Sequence, residues 1–142
     1  MRLVDANVLL YAVNEASAHH AKARPWLDAA LDGREPVGFA WTVVLAFLRL
    51  ATHPAVFPRA LAADEATAIV RTWLAQPAAV LLEPTARHVG VLAGLLAEAG
   101  TAANLVNDAH LAALAIEHDA VVVSFDVDFG RFRGVRHEVP GG

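Results

Sequence analysis

Residues 121–129 read VVVSFDVDF. Three consecutive valines predict a short strand, because β-branched side chains pack well on a pleated surface. An unbroken apolar run, rather than an alternating one, points to burial on both faces, as at the centre of a parallel sheet. Ser124 then leads into two aspartates, Asp126 and Asp128, held between Phe125 and Phe129. Such a strand delivers these residues to the carboxyl edge of the sheet, where open α/β sheets bind ligands. Two carboxylates fixed together repel each other unless something cationic sits between them. Near the start of the chain, residues 2–7 read RLVDAN, a second short strand ending in an acid, Asp5. If the two strands are neighbours, their acids meet.

The sequence between them alternates in period. Helical spacing covers residues 6–13, then 18–31 with Ser17 as a candidate cap and Pro25 as a candidate kink. A strand is expected at 37–40 and a mostly apolar helix at 42–52, closed by His53-Pro54. After a loop at 55–62, Asp64 opens a helix over 65–74, and a third strand follows at 80–82. Thr85 can cap a helix over 86–99 that Gly100 closes. A polar link carries Asn104 and Asn107, and Asp108 opens a helix to His118. Residues 135–139 read as an edge strand before a short tail; counted from 139, that tail is 139–142. Alternating strands and helices predict an α/β fold: a mostly parallel sheet with helices on both faces, in one domain spanning 1–142.

The totals narrow the function. At 142 residues and 56% apolar content, above the usual ~45–50%, the chain can fill a sizeable core. It contains no cysteine, hence no disulfide framework or thiolate metal site. No apolar run approaches the roughly 18–20 residues that span a bilayer, and Met1-Arg2 leads straight into a strand pattern rather than a secretory signal. A cytoplasmic protein without a membrane partner is therefore expected. The net charge of -4 gives no general attraction for nucleic acid. Ten of the eleven basic residues are arginine, with Lys22 the exception. Arginine suits phosphate recognition, but an alanine-rich chain with this bias also fits a GC-rich genome.

Each acid has an ordinary role available. Asp5 can cap the first helix, Asp108 can cap a later one in competition with Asn107, and Asp126 and Asp128 can be turn residues. Their joint placement carries more. Three or four carboxylates converging on one edge are costly for stability, and hard oxygen ligands around an open pocket suit Mg²⁺ or Mn²⁺ and phosphate chemistry. The histidines form neither H-x-x-x-H nor HExxH, and no nucleophile elbow, P-loop or dinucleotide fingerprint occurs.

Three segments, DANVLLYAVNEAS at 5–17, WTVVLAFLRLATHPAVF at 41–57 and NDAHLAALAIEHDAVVVSFDVDFGRF at 107–132, resemble PIN-domain ribonucleases. Within that family they are most similar to the VapC toxins of bacterial toxin–antitoxin pairs, in the branch abundant in mycobacteria. The resemblance implies a three-layer α/β/α sandwich with a small, mostly parallel central sheet. It also implies an Mg²⁺- or Mn²⁺-dependent endoribonuclease, cleaving tRNA or ribosomal RNA with a metal-activated water. A cognate VapB-like antitoxin and a homodimer complete the picture. Asp5, Asp108 and Asp126 match the family acids, Asp128 an additional one, and Asn7 and Ser124 the polar positions that orient them.

The family often has a glutamate in the middle helix, in an E-x-x-R pattern. Here Ala46 stands at that place, followed by Arg49. Glu15 is the nearest candidate in sequence to compensate. Phosphate contacts are expected from Arg131 and Arg133, with Arg136 following, while Arg49 can pair with the site acids instead. Trp41, Phe47 and Phe57 are candidates for the antitoxin contact and equally for the core. The missing glutamate leaves a second reading open, a non-cleaving module that holds antitoxin or RNA. A receiver domain or small phosphohydrolase is a third; it is disfavoured because a receiver needs a lysine near its acids, and Lys22 sits in an early helix.

Overall fold

The computed structural model describes residues 1–100 and 105–141; Asn104, part of the expected polar link, lies outside them. Among the described residues, five three-residue strands form the sheet: β1 (Arg2–Val4), β2 (Val37–Phe39), β3 (Ala79–Leu81), β4 (Val121–Val123) and β5 (Arg136–Glu138). All neighbouring pairs are parallel, in the order β3-β2-β1-β4-β5. Six helices flank this sheet: α1 (Ala6–Val13), α2 (His20–Leu31), α3 (Trp41–Ala51), α4 (Ala63–Leu74), α5 (His88–Ala99) and α6 (Leu105–Glu117).

The strand order explains the layering. From β1 the chain steps outward to β2 and β3, then returns past β1 to β4 and β5. Parallel crossovers are right-handed, so the reversal of direction puts α1–α4 on one face and α5–α6 on the other. The packing agrees: α1 meets α2 and α3, α3 meets α4, and α6 meets α5 and β4. Leu3, Val4, Phe39, Val122 and Val123 of the strands are fully buried or nearly so, as the apolar runs require. On α6 the buried set includes Ala109, Ala112, Ala113 and Ala115, small side chains that let a helix approach its neighbours closely.

Several expected helix starts move. Ser17 does not cap α2; its Oγ accepts from the His19 N–H at 3.1 Å, and the helix begins at His20. Thr85 likewise accepts from the Arg87 N–H at 3.2 Å, and α5 begins at His88. Both hydroxyls close a turn over the residue two positions on, which competes with capping. Asp108 is not a cap either, because α6 starts three residues earlier and leaves it in the first turn. Pro25 lies inside α2 without ending it, forfeiting one intrahelical bond. Phe47 and Phe57 are core residues, at 0% and 5% exposure, and therefore are not a docking surface. Trp41 is exposed.

α5 is pinned to α6 by a polar chain. Glu117, whose side chain has no exposed surface, accepts from the Thr85 N–H at 2.9 Å and from the Thr85 hydroxyl, and its other oxygen meets His88 Nδ1. His88 Nε2 in turn lies 2.9 Å from His110 Nδ1. Burial opposes ionisation of Glu117, but the bonds from Thr85 and His88 outweigh it and hold the carboxyl below its ordinary range. Glu117→Ala leaves these donors without an acceptor. It is expected to cost about 1.5–3 kcal/mol in urea unfolding, with amide exchange in α5 rising before exchange in the sheet.

Candidate active site

The switch in strand order falls between β1 and β4, the place where open α/β sheets leave a crevice at their carboxyl ends. Asp5 follows β1 and Ser124 follows β4. The Asp5 N–H donates to the Val123 carbonyl at 2.9 Å, so pairing continues into the crevice. Asp5 also caps α1: Oδ1 accepts from the Ala6 N–H at 2.7 Å. Its Oδ2 accepts from Ser124 Oγ–H at 2.8 Å. Capping and site roles thus coincide in one side chain.

Ser124, with no exposed surface, is the buried polar residue of the described core. Its Oγ also accepts from Asn7 Nδ2 at 2.9 Å and from the Asp126 N–H at 3.0 Å. Asn7 Oδ1 accepts from the Phe125 N–H at 3.1 Å. The Ser124 carbonyl lies 3.1 Å from His137 Nε2 on β5. Asn7 and Ser124 thereby hold Asp5 against the turn after β4. His137 was missed, since only strand register brings it there.

Asp126 caps a short 3₁₀ helix, Val127–Arg131, its Oδ1 accepting from the Asp128 N–H at 2.9 Å. Asp128 is exposed and pairs with Arg131 at 3.3 Å. Asp108 is half-buried on α6. Burial, with the charges of Asp5 and Asp126, pushes its carboxyl up to about 6, against a smaller opposing effect of Arg131. Burial also raises Asp5, the Ser124 and Ala6 hydrogen bonds opposing it and the Asp126 charge adding to it. The charges of Asp5 and Asp126 thus act on Asp108, and that of Asp126 on Asp5. Even so, no three His, Cys, Asp or Glu side chains among the described residues close on one point in a ligating arrangement.

A cleft of about 450 Å³ opens over Asp5 and Asp108, lined also by Thr42, Ala46, Arg49 and Asn107. Ala46 thus occupies the expected place and contributes a methyl group where the family often has a carboxylate. Arg49 lines the same cleft but makes no ion pair among the described residues. Glu15 does not substitute for the missing acid. Eight residues of α1, roughly 12 Å of helix, separate it from Asp5, and it lines a different cleft with Phe57 and Arg59. Arg136 is also misplaced as a phosphate ligand. It pairs in register with Val121, at the amino end of β4, and is bound to Asp119 at 2.7 Å. Arg131 and Arg133 follow the acids directly, and both are exposed.

The PIN domain family model matches residues 2–135. Over 140 residues the chain is 59% identical to Ribonuclease VapC37 of Mycobacterium tuberculosis, covering 99% of this chain and 97% of the relative. Ribonuclease VapC31 of the same species is 41% identical, covering 99% of each. Among solved structures, VapBC2 from Rickettsia felis bound to a promoter DNA fragment matches with a TM-score of 0.73 at 15% identity, covering 98% of both chains. Mycobacterium tuberculosis VapC20, described as a sarcin-ricin loop cleaving toxin, gives a TM-score of 0.68 at 21% identity, covering 96% of this chain and 99% of that one. These two likenesses bear on the fold, an α/β/α sandwich around a parallel sheet. With Asp5 and Ser124 joined at the switch point and the family model spanning nearly the whole chain, this protein belongs to the PIN-domain family, among its VapC ribonucleases.

Proposed function

We propose that the chain is a divalent-metal-dependent endoribonuclease toxin that hydrolyses RNA phosphodiester bonds and is restrained by a VapB-like antitoxin. The observation carrying this reading is geometric: Asp5 and Asp126 leave the adjacent strands β1 and β4 at the switch point, tied through Ser124, and Asp5 shares a cleft with Asp108. The donor set is all carboxylate oxygen, which suits Mg²⁺ or Mn²⁺ and not a softer ion. Mg²⁺ keeps several waters and needs only one or two carboxylates, so a wide acid cluster fits it. Asp5, Asp108 and Asp126 would hold the ion, with Asp128 extending the cluster. Oδ1 of Asp5 accepts from the Ala6 N–H alone and keeps a second lone pair for a cation, while Oδ2 accepts from Ser124 and, at 3.5 Å, from Asn7. When bound, the ion neutralises the carboxylates and polarises a phosphodiester oxygen.

The chain's own residues do the remainder. Asn7 and Ser124 hold the Asp5 carboxylate against rotation. A free oxygen of the acid cluster orients the attacking water, and Arg131, Arg133 and Arg49 meet the phosphate backbone that an acidic cleft would otherwise repel. The substrate class is tRNA or ribosomal RNA, the assembly a homodimer, and the antitoxin covers the exposed apolar face of α3 near Trp41 and Leu45. Among the described residues, no helix is long and apolar enough to cross a membrane.

A second reading, binding without cleavage, draws on Ala46 and on the absence of a closed three-ligand group among the described residues. Antitoxin-free protein incubated with total RNA in Mn²⁺ separates the two. New 5′ ends that chelator abolishes support the nuclease, and intact RNA across all conditions supports the module.

Asp5→Asn is expected to abolish cleavage and growth inhibition with the fold retained, since asparagine caps a helix as well as aspartate. Ser124→Ala should lower activity or metal affinity about 10–100-fold, measured by metal titration of cleavage rate. The raised Asp108 sets a pH signature in metal-free protein. Between about 4 and 6 the folded state keeps a proton that the unfolded state has released, so this contribution to stability is lost as pH rises through that window. Thermal melts in chelator from pH 4 to pH 8 should show that decline in wild type and flatten it in Asp108→Asn. Adding Mg²⁺ at pH 7 should raise the wild-type melting temperature and move the variant much less.

A further inference from the structure

Beside the acids lies a group of aromatic rings that the catalytic reading does not use. Tyr11 on α1, His19 before α2 and Phe125 after β4 form a closed triangle, with ring centroids 4.9, 5.3 and 4.7 Å apart. Tyr11 and Phe125 pack their inner sides on the core and are half-buried, while His19 is exposed. A core cluster would bury all three. This one is held in place at the surface. The Ser17 hydroxyl accepts from the His19 N–H at 3.1 Å, and His20 Nδ1 lies 2.9 Å from the Tyr11 carbonyl, fixing the turn that carries His19 to α1. The Phe125 N–H donates to Asn7, the same side chain that donates to Ser124 beside Asp5. Phe125 directly precedes Asp126, one Cα step of about 3.8 Å. Phe125 and Asp126 are thus parts of one hydrogen-bonded turn, and the rings of Tyr11 and His19 pack on its Phe125.

We propose that this Tyr11–His19–Phe125 cluster is a stacking platform for a nucleobase next to the scissile phosphate of the RNA substrate. The inference rests on the endoribonuclease reading and names a subsite of it. Charge favours it: a chain of net charge -4 has little general attraction for a polyanion, so base contacts must supply affinity that phosphate contacts do not. Aromatic and imidazole faces stack on splayed single-stranded bases, whatever the base.

The test uses the full antitoxin-free chain and single-stranded RNA heptamers with 2-aminopurine at each position in turn. Fluorescence is read by rapid mixing in Mg²⁺, before cleavage. The wild type should quench the probe at one position. His19→Ala, at an exposed site that leaves the core untouched, should lose that quench and raise the dissociation constant roughly 5- to 150-fold, the range for one stacked base. His19→Phe should restore both. An abasic nucleotide at that position should bind wild type and His19→Ala equally. Equal quenching and equal affinity in wild type and His19→Ala would overturn the platform. The two readings fail separately. RNA cut by wild type with no dependence of binding on His19 sinks the platform alone. His19-dependent quenching on RNA that is never cut keeps the platform and sinks the nuclease.

Discussion

The register of β1 on β4 is the constraint from which the site follows. Val4 lies opposite Val123, so the next residue on each strand, Asp5 and Ser124, emerges side by side at the carboxyl edge. The bond from Ser124 Oγ to Asp5 Oδ2 then ties the two loops together. A slip of one residue by either strand would send its side chain to the opposite face and separate the pair. Buried valines and leucines on both strands prevent that slip, so hydrophobic packing sets where the charge goes. In the other direction, Asn7 and the backbone amides of Phe125 and Asp126 complete a network in which each buried polar group has a partner.

The acids are held against their own repulsion. Asp5 is desolvated and Asp108 is charged against two neighbours, a state that a folded protein tolerates for function and not for stability. Ala46 removes one potential source of further repulsion from the cleft and leaves room beside Arg49. The cleft is therefore lined by an exposed arginine as well as by Asp5 and Asp108.

The inner strands were legible because they are short and mostly apolar, whereas β5, Arg-His-Glu, shows no such pattern. Residues 121–123 could be read as a buried strand from three valines, and Asp5, Ser124 and Asp126 followed from where such strands end. The β-strand order was not legible; neighbouring of β1 and β4 depends on long-range pairing that local pattern does not encode. Helix starts were misread at Ser17, Thr85 and Asp108 because a hydroxyl or carboxylate can close a turn or sit in a first turn as readily as cap. Arg136 was misjudged because nearness in sequence to the acids places it, after a turn, at the far end of the neighbouring strand. Phe47 went to the core because exposure of an apolar ring has no signature in a helix that is apolar on most sides, and Phe57 is buried from the loop that follows α3. His19 carried no motif at all, since its ring partners are 8 and 106 positions away in the chain.

A parallel sheet has no hairpins, and here the strands that meet at the crevice are at opposite ends of the chain: β1 is paired with β4, more than a hundred residues later. Closing so long a loop precedes any reward from the contact, which makes this topology slow to form. During synthesis the amino-terminal acid emerges first and waits, exposed and without its serine, until the last strands leave the ribosome. The pairing of Asp5 with Ser124 therefore cannot exist before β4 has been made.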